Sequence, residues 1–351
     1  MSLERIRQNI DYLDCKIIRL LNERMEHALM ARKLKTKIED PEREKTLLQS
    51  VKRRATGLIN GKFIEDIYLQ ILKQSKRLQE KEFGLIAFQG EHGAYGEVAA
   101  RKWNEEFIPI PFEDFSRVFE SVDAGLADYG IVPVENTLGG SVEQVNRLIL
   151  DTDLHVVGAI ELPINLCLLA LPDTDHREIR TVYSHPQALA QARNFLKRNK
   201  LEPVQYYDTA GAAKMLMEQR PRGSAAIASK LCAELYHLKI IKEAIENHSR
   251  NRTRFLVLSR NEKPGEGDKC SIVFSTEHKA GTLFRVLEIF AKNGINLTRI
   301  ESIPHEPGEY AFFLDFTGSL VDEIVTDALE EVKENTTHLK ILGCYKESSV
   351  E

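Results

Sequence analysis

No apolar run in the sequence approaches the roughly 18 residues that a membrane-spanning helix needs. Its first residues, Met1-Ser2-Leu3-Glu4-Arg5, lack the hydrophobic stretch of a secretory signal. A soluble chain, cytoplasmic by default and without a membrane partner, is the expectation. The five cysteines, Cys15, Cys167, Cys232, Cys270 and Cys344, lie far apart with no C-x-x-C pair, which argues against a disulfide framework or a zinc site and for reduced thiols. Glycine and proline are scarce at one end: residues 1–83 hold two of the 20 glycines, Gly57 and Gly61, and one of the 12 prolines, Pro41. Little there interrupts helix. What is present, 351 residues with 42% hydrophobic and 29% charged, exceeds what one compact core usually holds, and two or three domains are expected. The net charge of −5 conceals an asymmetry, because residues 1–83 carry 19 Lys+Arg against 13 Asp+Glu while the remainder carries 29 against 40.

In the basic segment, Leu3, Ile6, Ile10, Leu13, Ile17 and Leu20 recur at steps of three and four, and the helical pattern runs on to about Ile38. Such a helix is about 50 Å long, too long for so small a domain to cover without a partner chain. Asp40-Pro41 supplies an N-cap and a first-turn proline for a second helix ending near Gly57, and a third runs from about Lys62 to Lys81. A basic helical domain raises nucleic acid as a partner. The spacing points instead to a small anion: Arg24 and Lys35 lie about three turns apart on one helix face. Arg7 sits about 100° off that face, where a partner helix could bring it to the same site. Ser75 and Gln79 share a face at i, i+4, and Glu44 is available from the second helix.

This segment resembles the all-helical chorismate mutases, with Arg7, Arg24, Lys35, Asp40, Arg43, Glu44, Ser75 and Gln79 on the family's active-site positions. The resemblance implies an intertwined dimer in which Arg7 crosses to the partner's site, and a rearrangement of chorismate to prephenate that needs neither nucleophile nor cofactor. It implies that Arg7, Arg24 and Arg43 bind or support the substrate carboxylates. Lys35 and Gln79 would hydrogen-bond the breaking ether oxygen, and Glu44 the substrate hydroxyl. Such a protein works by holding a flexible dianion in a reactive conformer and stabilising growing charge.

From Gly84 the texture changes to short apolar runs ending in loops, with helical stretches between them, which is α/β patterning. Gly90, Gly93 and Gly96 follow the first run, with Glu113 about twenty residues on, but the spacing G-x-x-G-x-x-G is not that of a dinucleotide fingerprint. A carboxylate-binding loop at a helix N-terminus fits better. Ser141 with Gln144, and Ser184 with Gln187, read as capping boxes. A Ser-His hydrolase built on Ser184-His185 is disfavoured, because no nucleophile elbow is present.

Pro133-Val134-Glu135-Asn136-Thr137, Tyr183-Ser184-His185-Pro186-Gln187 and Thr253-Arg254-Phe255, in this order, resemble prephenate dehydratase over about residues 84–260. The resemblance implies two α/β lobes flanking a cleft, like a periplasmic binding protein, and a reaction that expels water and carbon dioxide to give phenylpyruvate. It implies Thr253 as proton donor, polarised by Arg254 or another neighbour. Asn136, Gln187 and Glu135 would orient substrate, with Thr137, Thr209 and Ser184 as further contacts. Gly96 stands where that family usually has Ser or Thr, so a hydroxyl contact is lost there.

Asn261 to Asp268 is polar and rich in Pro and Gly, a linker. Beyond it the order reads βαββαβ and resembles the ACT regulatory domain. Gly281-Thr282-Leu283 and Glu301-Ser302 fall on the positions that bind an amino acid, phenylalanine in related dehydratases, although Ile303 replaces an arginine of the motif. A mere dimerisation domain is the alternative. The expected architecture is therefore multidomain α and α/β, with a helical domain at 1–83, a dehydratase domain at 84–262 and an ACT domain at 268–346. The expected protein is a bifunctional enzyme acting on chorismate and prephenate, inhibited by phenylalanine and assembled as a homodimer or higher homo-oligomer. It needs no cofactor, metal or nucleic acid. The other reading is a ligand-responsive regulatory protein with one decayed site.

Overall fold

A computed structural model describes residues 3–261, 265–304 and 310–350. The segment poor in glycine and proline forms three helices, α1 (Leu3–Leu34), α2 (Pro41–Arg54) and α3 (Gly61–Gln79). Asp40 and Asn60 cap α2 and α3 through bonds from Arg43 N (3.0 Å) and Phe63 N (2.8 Å). α1 stops before the expected Ile38, and Lys35 lies just past its end, its carbonyl taken by Arg32 Nη1 at 2.8 Å. Leu3, Ile6, Ile10, Leu13, Ile17 and Leu20 are all exposed, so the apolar stripe that makes α1 a helix is uncovered within this chain. Elsewhere α1 is seated on the central domain by Arg19 to Glu218 (2.8 Å), Glu26 to His92 (3.1 Å) and Lys33 to Asp128 (2.6 Å).

The central segment forms two lobes. The first holds a seven-stranded sheet ordered 347–349, 155–163, 252–259, 129–136, 85–89 and 108–112, with the short pair 140–141 alongside 129–136. Strand Leu85–Gln89 runs parallel to both neighbours, whereas Arg252–Ser259 is antiparallel to Tyr129–Asn136 and His155–Pro163. The second lobe is a five-stranded sheet ordered 239–242, 167–170, 224–228, 181–184 and 202–205. It is inserted between His155–Pro163 and Arg252–Ser259, so the chain crosses the cleft twice and the returning strand lies in the middle of the first sheet.

The last domain is a four-stranded antiparallel sheet ordered 297–304, 310–317, 269–275 and 338–345. Alternation along Lys269–Ser275 sends Cys270, Ile272 and Phe274 toward the helices Thr282–Lys292 and Glu323–Glu334. Val273, with Phe313 and Tyr345, instead joins a core shared with the first lobe. Cys270 and Cys344 are directly opposed on neighbouring strands and joined as a disulfide, which corrects the reduced-thiol expectation for this pair. Cys15, Cys167 and Cys232 are free. Of the expected linker, Glu262 to Pro264 lie outside the described residues, and Asp268 N is bonded to Tyr345 O at 3.2 Å. One element was not anticipated: Glu347–Ser349 leaves this domain and pairs in parallel with His155–Pro163 of the first lobe.

Gly343 makes that junction possible. Its φ is +149°, and a Cβ there would lie 2.2 Å from the carbonyl oxygen of Val156. Gly343→Ala is expected to cost about 1–3 kcal/mol, through overpacking and backbone strain, and chemical denaturation followed by circular dichroism would measure the loss.

Candidate active sites

Antiparallel pairing places Thr253 directly opposite Asn136, at the floor of a cavity of about 420 Å³ between the lobes. Asn136 Nδ2 lies 2.9 Å from Thr253 Oγ1, Asn251 Oδ1 and the Arg252 carbonyl. The other end of the amide is fixed as well, because Oδ1 accepts from Leu138 N (3.1 Å), Gly139 N (2.7 Å) and Gln191 Nε2 (3.2 Å). Asn251 Nδ2 in turn donates to Gln191 Oε1 at 2.9 Å. The Thr253 hydroxyl thus accepts from Asn136 and keeps its own proton for a group in the cavity. Gln191 and Asn251 were not read from the sequence. Gln191 had a signal, since it lies one turn beyond Gln187 on the helix Pro186–Gln191, and both line the cavity.

Thr209 also lines the cavity, behind Asp208, which caps the helix Thr209–Gln219. Other expected contacts do not point there. Ser184 is fully buried at the end of its strand and donates to Ile227 O at 2.6 Å. Its expected capping box with Gln187 does not form, because His185 Nδ1 caps the helix instead. Nor does Ser141 cap the helix Glu143–Asp151; its hydroxyl accepts from Asn146 Nδ2 at 2.6 Å. Thr137 ties its loop to Arg250 O and Arg252 N, each at 3.0 Å. Strand alternation turns Glu135 and Arg254 to the opposite face from Asn136 and Thr253, against the last domain. There Arg299 Nε lies 3.6 Å from Glu135, and Arg254 engages Asp315 and Glu347. Arg254 therefore does not polarise Thr253; Asn136 occupies that position.

The glycine-rich loop differs in detail from the expected cradle of free N–H groups. Glu91 N donates to Asp208 (3.1 Å) and Gly93 N to Glu97 (2.7 Å). What faces the cavity is the start of the helix Tyr95–Trp103, whose first turn has no side-chain cap and whose Tyr95 and Gly96 line the wall. Beneath the loop, His92 bridges α1 and the first lobe, with Nε2 on Glu26 and Nδ1 on Glu97, each 3.1 Å. Burial alone would lower its pKa, but the bonds to Glu26 and Glu97 prevail and push it up to about 10. Glu97, fully buried, is held below its ordinary range against the opposing effect of burial by His92, Gly93 N and Arg101.

In the helical domain, Ser75 and Gln79 are buried on α3, and Gln79 Nε2 donates to Ser75 Oγ (3.1 Å) and Ser75 O (3.3 Å). Gln79 Oε1 is buried with no partner. Glu44 is held by Lys76 at 2.8 Å, and Asp40 serves as the α2 cap. Arg24 is half-buried, whereas Arg7, Lys35 and Arg43 are exposed. In the last domain Gly281 (φ +86°) begins a helix, and Thr282 Oγ1 donates to Glu277 O (2.9 Å) and Lys279 O (3.0 Å). Leu283 packs on the core there, while Glu301 and Ser302 sit on the edge strand Leu297–Pro304. Strand Tyr310–Thr317 separates that edge from Lys269–Ser275, which leads to Gly281.

The inserted second lobe, the cleft with Thr253 and Asn136 at its floor, and the flanking helical and βαββαβ domains define a two-lobed α/β protein with a fused helical domain and a fused βαββαβ domain. Residues 86–263 match the prephenate dehydratase family, residues 6–80 chorismate mutase type II and residues 271–334 the ACT domain. The chain is 36% identical to the bifunctional chorismate mutase/prephenate dehydratase of Aquifex aeolicus, over 98% of each chain. It is 40% identical to arogenate dehydratase/prephenate dehydratase 2 of Arabidopsis thaliana, over 74% of this chain and 72% of the relative. The solved prephenate dehydratase of Arthrobacter aurescens in complex with L-Phe superposes with a TM-score of 0.70 at 30% identity, covering 75% of this chain and 89% of that one. This chain belongs to the bifunctional chorismate mutase/prephenate dehydratase family. Among the described residues no helix is long and apolar enough to cross a membrane.

The raised pKa of His92 has a definite sign. Imidazolium is favoured in the folded state, so its stabilisation is fully present below the ordinary value of about 6.5 and is lost as pH rises through about 10. Nitrogen chemical shifts of His92 are expected to report a charged ring at pH 8, and a neutral ring at that pH would contradict the bridge.

Proposed function

We propose that the helical domain converts chorismate to prephenate and that the interlobe cleft converts prephenate to phenylpyruvate, with phenylalanine acting through the ACT domain. The observation that carries the reading is the Thr253 hydroxyl held by Asn136 inside a closed set of amides. A threonine hydroxyl is a weak acid, and the bond that Oγ1 accepts from Asn136 Nδ2 makes its proton easier to give. That proton goes to the departing ring hydroxyl. The ring carboxylate leaves as carbon dioxide, its electron pair enters the ring, and aromatisation drives the step. Gln187, Gln191 and Thr209 offer neutral contacts around the substrate, and the start of the helix at Tyr95 faces its carboxylates.

In the mutase site, a half-turn of the Gln79 amide lets Ser75 Oγ–H donate to Oε1 and frees Nε2 to donate to the ether oxygen. That rotation also satisfies the oxygen now buried without a partner. Arg24, Lys35 and Arg43 supply positive charge for the dianion, with Arg7 contributed by a second copy, and Asp40 and Glu44 complete the set. The exposed apolar stripe of α1 supports a homodimer formed along that helix. Gly281 to Leu283 and the edge strand with Glu301 and Ser302 would meet across a second ACT domain. A cytoplasmic location accords with this chemistry.

Purified protein given chorismate should release phenylpyruvate, and accumulation of prephenate alone would sink the dehydratase assignment. Thr253→Ala should lower only the second step and Arg24→Ala only the first, each by at least about 100-fold. A substitution that stops both reactions contradicts two separate sites.

A further inference from the structure

Asn251 touches no part of the cavity, yet it is bonded to two side chains that do. It is 1% exposed, its backbone carbonyl is held by Ile164 N at 2.8 Å, and its amide therefore has a fixed seat. Oδ1 accepts from Asn136 Nδ2 and Nδ2 donates to Gln191 Oε1, each at 2.9 Å. Gln191 Nε2 closes the ring on Asn136 Oδ1 at 3.2 Å. Three amides thus define one another's orientation in a cycle in which each donates once and accepts once. We infer that Asn251 is a positioning residue for the dehydratase reaction, fixing the amide of Asn136 so that its N–H faces Thr253. This inference rests on the dehydratase reading.

Asn251→Asp keeps the shape and the acceptor for Asn136 but loses the donor to Gln191. The dehydratase kcat is expected to fall about 100-fold with KM changed less than threefold, because the substrate contacts remain while the proton donor is misaligned. Protonation of the new carboxyl restores an O–H donor, so the ratio of variant to wild-type kcat should rise as pH falls. Mutase activity of the same chain should be unchanged and serves as the control for folding. A kcat within twofold of wild type at every pH overturns the inference, and so does a parallel loss of both activities. If wild-type protein has no dehydratase activity, the dehydratase reading itself fails.

A second inference rests on different contacts. Arg254 follows Thr253 on the same strand, and among the described residues its guanidinium is held from beyond residue 268: by Asp315, by Glu347 and by Tyr345 OH at 3.0 Å. Asp315 is itself bonded to Ser271, and Glu347 to Lys269. In register with Arg254, Glu135 lies 3.6 Å from Arg299, which also donates to Val134 O at 3.4 Å. Arg299 stands two residues before Glu301 on the strand expected to meet phenylalanine. The geometry points to Arg254 and Arg299 as the ties through which the ACT domain acts on the Thr253–Asn136 pair, and this rests on the reading of phenylalanine control.

Glu347→Gln and Asp315→Asn weaken the hold on Arg254 without touching the cleft. Phenylalanine binding by calorimetry should persist, while the concentration giving half-inhibition of the dehydratase rises at least about tenfold and basal kcat stays within threefold. Glu347 is partly exposed, so its variant keeps the test decisive if Asp315→Asn fails to fold. Variants that bind phenylalanine and are inhibited like wild type overturn the coupling alone. A wild-type enzyme indifferent to phenylalanine overturns phenylalanine control and the coupling with it.

Discussion

The pairing of Arg252–Ser259 against Tyr129–Asn136 organises the chemistry and the architecture together. With a side-chain period of two, this register puts Thr253 and Asn136 on the cleft side and Arg254 and Glu135 on the ACT side. A slip of Arg252–Ser259 by one residue would exchange Thr253 and Arg254, burying the guanidinium in the cleft and turning the hydroxyl toward the ACT domain. The strand is also flanked by His155–Pro163, so it is central in its sheet and its position is determined from both edges.

Two domains are attached to this frame by charge rather than by apolar surface alone. α1 is seated through Arg19, Glu26 and Lys33, and its most apolar stripe is left uncovered. The ACT domain combines a shared core, around Phe313 and Tyr345, with the ion pairs on Arg254. Partly buried pairs of this kind are costly to break one-sidedly, because the remaining charge loses its partner without regaining water. They therefore favour discrete arrangements of the domains over a continuum.

Much of this was legible in the sequence. The scarcity of glycine and proline gave the three helices, Asp40 marked the cap of the second, and the motifs around Asn136 and Thr253 named the two residues that the register then brought together. What was hidden was direction. The family resemblance assigned Glu135, Thr137 and Ser184 to substrate and Arg254 to Thr253, but alternation and local hydrogen bonding turn each elsewhere. Gln191 and Asn251 were passed over because a lone amide in a sequence has no polarity, and its role depends on which partners close the ring. Cys270 and Cys344 are 74 residues apart and carry no spacing signal, since only antiparallel strand order makes them neighbours.

The strand Glu347–Ser349 has a further bearing on how the molecule is made. It forms one edge of the dehydratase sheet but is translated only after the whole ACT domain. The central strand Arg252–Ser259 is likewise delayed until the second lobe has been made. The first lobe is therefore the first part of the dehydratase to emerge from the ribosome and the last to be finished, waiting with open sheet edges through the synthesis of two other units.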